Sequence, residues 1–131
     1  MVISQNDFYT ISVSKKIQRL YIKINGIWNS SKLVPNYHQD VLKAIEEFDW
    51  KFTCLADFSE MRPYSEEVEA EIHIPVLKAL EKAGIDRSAQ IMPKHHHTID
   101  VLENLGKKYN VRLNMFDSEE FAEMYLDYVR V

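Results

Sequence analysis

The stretch DFSEMRPYSEE, residues 57 to 67, gathers Asp57, Ser59, Arg62, Ser65, Glu66 and Glu67 between a strand-like and a helix-like segment. Hydroxyl, carboxylate and guanidinium groups this close admit three readings: a regulatory switch, a catalytic corner, or a well-capped helix start. In the first two, the side chains converge at the C-terminal edge of a parallel strand, where α/β proteins place their sites. In the third, Asp57 and Ser59 satisfy main-chain groups in a turn, and Ser65 caps a helix whose positive end Glu66 and Glu67 complement. Arg62 is then a local charge partner for Asp57 or Glu66.

A second cluster is KHHH, residues 94 to 97. Neutral imidazole is a common metal ligand, but consecutive residues point in different directions on a helix or strand. Ligands on one helix face need a spacing such as His-x-x-x-His. The run therefore reads as a solvated loop ahead of a helix, and no metal site and no cofactor is expected. His38 and His73 stand singly within helical segments and read as satisfied or solvent-facing. Cys54 lies in an apolar run and reads as an inert core thiol. Trp28 and Trp50 sit near element ends and read as packing residues. No nucleophile–histidine arrangement shows in the order of residues, and the only three glycines, Gly26, Gly84 and Gly106, are too far apart to write a dinucleotide-binding fingerprint.

The bulk of the chain narrows the setting. Its 131 residues suit one domain, residues 1–131, with a real core. A net charge of −4 opposes general binding to a nucleic-acid backbone. One cysteine excludes an internal disulfide and suits a reducing compartment. The opening MVISQNDFYT is unlike a secretory signal, and no stretch approaches the ~20 apolar residues of a membrane span. The expectation is a cytoplasmic protein with no membrane insertion. An exposed edge strand or apolar helix face would allow a homodimer.

Several elements must position these residues. FYTISVS and QRLYIKING alternate, with Tyr9, Ile11 and Val13, then Leu20, Ile22 and Ile24, on one face. The short SKKI between them predicts an antiparallel hairpin. Tyr37, Val41, Ile45 and Phe48 recur at helical spacing after Pro35, which suits a first turn. KFTCLADF has the length and apolarity of a strand buried on both faces. Val68, Ile72, Val76 and Leu80 form a helical stripe from Ser65 to Gly84, interrupted by Pro75, which predicts a kink and a lost backbone bond near Glu71. SAQIMP is a short strand. TIDVLENLGKKYN is a helix with Ile99, Leu102, Leu105 and Tyr109 inward. VRLNMF is a last strand, and DSEEFAEMYLDYVRV a helix opened by Asp117 and Glu120. Its inward face is read as Phe121, Met124 or Tyr125, and Tyr128. The order is β-β-α-β-α-β-α-β-α: an α/β fold with a mixed five-stranded sheet and four helices.

With LADFSEM leaving the third strand and VRLNMFDSEEFAEMYLDYV closing the chain, this order resembles the SpoIIAA-like fold of STAS domains, the domains of anti-sigma-factor antagonists and transporter tails. The broader SpoIIAA-like set of small bacterial proteins is the nearer resemblance. In the antagonists an aspartate and a hydroxyl residue end the central strand, and a serine opening the next helix is phosphorylated to control partner binding. Asp57 and Ser59 match the first part. The serine pair falls on Glu66 and Glu67, with Ser65 one position early and the following glycine absent. The resemblance implies a non-enzymatic regulatory or protein-interaction module, with a protein partner and without the usual phosphoacceptor. The alternative is a small-molecule or lipid-like ligand binder using the loop after the third strand, since some SpoIIAA-like proteins are linked with lipid-binding domains. A cavity beside that loop would favour the alternative. Because structural metal binding is coupled to folding, thermal unfolding with and without a chelator is expected to give the same midpoint. A fall of many degrees with the chelator would restore a metal role for His95 to His97.

Overall fold

KFTCLADF lies where a mostly apolar run belongs, in the interior of a sheet. The computed structural model describes residues 1–128. Its strands are β1 (Val2–Gln5), β2 (Tyr9–Ser14), β3 (Arg19–Ile24), β4 (Phe52–Asp57), β5 (Ile85–Ile91) and β6 (Met115–Phe116). Its helices are α1 (Tyr37–Ile45), α2 (Glu66–Val68), α3 (Ile74–Ala83), α4 (His96–Tyr109) and α5 (Glu119–Tyr128). A π-helical segment, Glu69–His73, joins α2 to α3. With that rod counted once, the helical bodies are the four expected.

The strands lie in chain order, β1-β2-β3-β4-β5-β6. β1–β2 and β2–β3 pair antiparallel, and the remaining pairs are parallel. Each parallel connection steps one strand further in the same direction. Right-handed crossovers then stack α1, the α2–α3 rod and α4 on one face. Tyr9, Ile11, Val13, Leu20, Ile22, Ile24, Phe52 and Cys54 turn to that face and form the main core with Val41, Val68, Val76 and Leu102. The opposite face is covered by α5, whose Ala122 and Leu126 pack on Leu55, Ala89 and Ile91.

Six strands form where five were expected. The addition, β1, is an edge strand with Val2 exposed and its register broken between Val2 and Ser4. Its short VISQ shows too little alternation to read as a strand. The last strand is shorter than VRLNMF. Asn114 is held by side-chain bonds, its N–H donating to Gln90 Oε1 (2.6 Å) and its Nδ2 to the Ser88 carbonyl (3.0 Å), which leaves only Met115 and Phe116 as strand. Pro35 stands outside α1, ahead of its N-cap Asn36.

The rod follows its stripe, with Val68, Ile72, Val76 and Leu80 all buried. Pro75 has no N–H to give, and its ring crowds the carbonyl four residues back. The helix meets this by widening into the π segment just before it. Gly84 ends the rod at φ +95°, a conformation that favours glycine.

The inward face of α5 agrees with the expected one only at Tyr125, which is partly buried against the core beside Phe116. Phe121, Met124 and Tyr128 are exposed, and Ser118, not Asp117, supplies the cap, accepting from Phe121 N–H at 3.2 Å. The rotation is set by Arg19, which is 1 % exposed beneath the helix. Its guanidinium donates to Glu123 and to Asp127 Oδ1 (2.8 Å), residues one turn apart, and its Nε to Thr53 Oγ1 (2.9 Å). Tyr21 OH also donates to Glu123 (2.9 Å). Burial of an ion needs such saturation, and α5 turns its acidic edge inward to supply it.

The clamp is asymmetric, because the Glu123 and Asp127 side chains keep 32 % and 65 % exposure. Replacing both by alanine strands a buried guanidinium and is expected to cost about 3 kcal/mol. Arg19→Met leaves carboxylates that water can reach and is expected to cost less than about 1 kcal/mol. Urea unfolding measures both. A larger loss for Arg19→Met would refute the asymmetry.

Candidate functional site

The loop between β4 and α2 is pinned along its length by main-chain bonds. Phe58 N–H donates to the Ile91 carbonyl (3.1 Å) and Lys94 N–H to the Ser59 carbonyl (3.1 Å). Gly26 N–H donates to Glu60 (2.9 Å), Arg62 N–H to Gly26 (3.0 Å) and Ser65 N–H to Trp28 (3.2 Å). Gly26 turns at φ +77°, which lets the chain leaving β3 bridge to Met61. Lys94 Nζ and Glu60 Oε1 pair at 2.6 Å across the top, which raises the lysine and lowers the glutamate from their ordinary pKa values. The loop is thus a fixed rim over the C-terminal ends of β3, β4 and β5.

The six candidate residues divide sharply within that rim. Asp57 Oδ1 accepts from Ser59 N–H (2.9 Å), a turn of the Asx type. Ser65 Oγ accepts from Val68 N–H (3.1 Å) and caps α2. Glu67 reaches across to accept from Ser31 N–H (2.7 Å), a bond that holds its carboxyl below the usual range. Glu66 and Arg62 project into solvent, and Arg62 pairs with neither Asp57 nor Glu66. No hydrogen bond or ion pair joins the side chains of Asp57, Ser59, Arg62 and Ser65 to one another. The first two carboxylate and hydroxyl groups of a catalytic reading, Asp57 and Ser65, are committed to the backbone.

Lys94 and the N-cap His95 precede α4, whereas His96 and His97 are in its first turn, so the run straddles the helix start; all four residues are exposed, as expected. His95 Nδ1 lies 3.3 Å from Thr98 Oγ1. Among the described residues no three His, Cys, Asp or Glu side chains are grouped to hold a metal ion, and no helix is long and apolar enough to cross a membrane. Cys54 is buried, and burial pushes its thiol up to about 12. Trp50 is 74 % exposed and does not pack as expected, whereas Trp28 is buried and donates its indole N–H to Asn25 (3.1 Å).

Inside the rim lies a feature that residue order does not reveal. A cavity of about 260 Å³ separates the sheet from α3 and α4. Phe58, Met61 and Tyr64 of the loop contribute to its wall, as does His73 of the π segment. The His73 ring stacks on Trp28 (5.4 Å between centroids, 15°) and meets Tyr64 edge-on (4.6 Å, 64°). His73 is half-buried and, against expectation, unsatisfied at one nitrogen: its Nε2 and the Tyr64 hydroxyl are buried without a hydrogen-bond partner. Burial lowers the His73 pKa to about 4, so the ring is neutral near pH 7. The π turn decides this placement, and only Pro75 hinted at it.

No family model matches the chain, and no curated protein matches it. Among solved structures it is similar to that of the anti-sigma factor antagonist SpoIIAA in its unphosphorylated form. The TM-score is 0.56 at 17 % identity, over 93 % of this chain and 97 % of that one. The fold is SpoIIAA-like, a mixed sheet with helices on both faces.

His73 gives a pH signature. Its folded pKa of about 4 lies below the ordinary 6.5, so between those values the unfolded chain binds a proton that the folded chain refuses. Stability is therefore lost as pH falls through that window, by up to roughly 3 kcal/mol from this residue. Urea midpoints at pH 6.5 and 4.5 are expected to differ less in His73→Leu than in the parent. Equal differences would show that His73 titrates normally.

Proposed function

We propose that this chain is a non-enzymatic regulatory module that docks a protein partner on the edge formed by residues 57 to 68. Glu66, exposed beside the Ser65 cap on a loop tied to two neighbouring loops, carries the reading. A docking surface benefits from such rigidity, because little conformational freedom is lost on binding. Arg62 and Glu66 offer unlike charges for specificity, and exposed Ile27, next to Gly26, offers apolar area. The likeness to SpoIIAA supports a partner of the anti-sigma-factor kind.

In this reading the helix start is permanently acidic and not switched by phosphate. Glu66 and Glu67 stand where the resemblance puts the phosphoacceptor, and the Ser65 hydroxyl is engaged as a cap. A phosphate would add about −1.5 to −2 charge beside two carboxylates. The neutral variant Glu66→Gln/Glu67→Gln keeps shape and keeps an acceptor for Ser31. It is expected to fold normally and to bind a partner recovered with the parent at least tenfold more weakly. Unchanged binding would move the docking surface elsewhere, and mass spectrometry finding substantial phosphate on Ser59 or Ser65 of native protein would revive the switch.

A further inference from the structure

We propose that the cavity beneath the α2–α3 rod is a binding site for a small, uncharged, largely apolar molecule carrying one hydroxyl group, such as a short-chain alkylphenol. Protein interiors pack with few voids larger than a water molecule, and this one measures about 260 Å³. An apolar cavity of roughly 150 Å³ accepts a benzene ring, so a ring with a short alkyl chain fits here. Ile22, Cys54, Val76, Leu80 and Leu102 supply apolar wall.

The polar groups select the ligand. At one side Ser88 and Gln90 are already occupied, Gln90 Nε2 donating to Ser88 Oγ (3.1 Å) and Gln90 Oε1 accepting from Asn114. At the other, the Tyr64 hydroxyl and His73 Nε2 belong to rings in contact and lack partners. Buried polar atoms are rarely left so. A hydroxyl both donates and accepts, so a single one can serve a neutral imidazole and a phenol together. A carboxylate would find no countercharge, because the imidazole is held neutral and the wall's charged member, Glu81, is itself an acid. Glu81 is exposed and marks the mouth. The site lies behind the docking edge and shares its segment: Phe58, Met61 and Tyr64 belong to the inner wall, while Arg62 and Glu66 are on the outside.

The test is calorimetric titration of the whole chain with 4-propylphenol, propylbenzene and 4-propylbenzoate, with methyl NMR spectra recorded alongside. The phenol is expected to bind at least tenfold more tightly than propylbenzene, shifting the methyl signals of Ile22, Val76 and Leu80, while the benzoate does not bind. Tyr64→Phe, which removes one oxygen and little volume, is expected to fold with an unchanged or higher unfolding midpoint and to lose most of that preference. Unshifted methyls up to the solubility limit, benzoate binding as tight as phenol binding, or an undiminished preference in Tyr64→Phe would each overturn the proposal. The first of these results would assign the space to water.

Discussion

Every connection from β3 onward steps one strand in the same direction, and the distribution of the rest of the molecule depends on that constraint. Right-handed crossovers in a single direction must share a face. Three helical bodies therefore crowd one side, and the other is left to α5. The crowded side holds the large core and, between the sheet and α3 and α4, the cavity. The sparse side cannot bury enough apolar area with one helix, and it uses the Arg19 clamp to fix the helix's rotation. The outward stripe of Phe121, Met124 and Tyr128 is the result of that choice.

The rod from Glu66 to Ala83 links the outer rim to the interior. Its first turn is capped by Ser65 and presents Glu66 to solvent, and a few residues later the π segment presents His73 to Trp28 and Tyr64. Pro75 favours the wide turn, since an ordinary turn would leave a carbonyl facing a residue that has no N–H to give. One backbone irregularity thus serves as the junction between a solvent-facing edge and an apolar cavity. Wide turns of this kind are frequent at functional sites.

Legibility in the sequence followed the range of the forces involved. β2 and β3 were readable because each buries one face, and alternation records that directly. The stripe Val68 to Leu80, the Ser65 cap and the Gly84 stop were readable because they are interactions within a turn or two. β1 was not, since an edge strand with little burial leaves no pattern. The face of α5 was misjudged because a charge far away in the chain, on Arg19, outweighed apolar periodicity. Within the candidate site, the capping role of Ser65 and the turn at Asp57 could be anticipated from residue type. That Arg62 pairs with neither Asp57 nor Glu66 could not, and the orphaned groups of Tyr64 and His73 depend on the spatial meeting of a loop, a π turn and Trp28.

Arg19 and its carboxylates are separated by 104 and 108 positions. At ordinary synthesis rates, the carboxylates reach the growing chain roughly 5–20 s after the arginine. Once β4 has been made, β2, β3 and β4 can pair, yet until α5 arrives the other face carries a cation that water must keep solvating. A sheet face with a solvated charge resists premature stacking against another sheet, because burial would strip the unpaired cation of its water. The arginine that locks the finished fold thereby acts earlier as a gatekeeper, keeping the half-made sheet from collapsing onto a neighbour until its own last helix arrives.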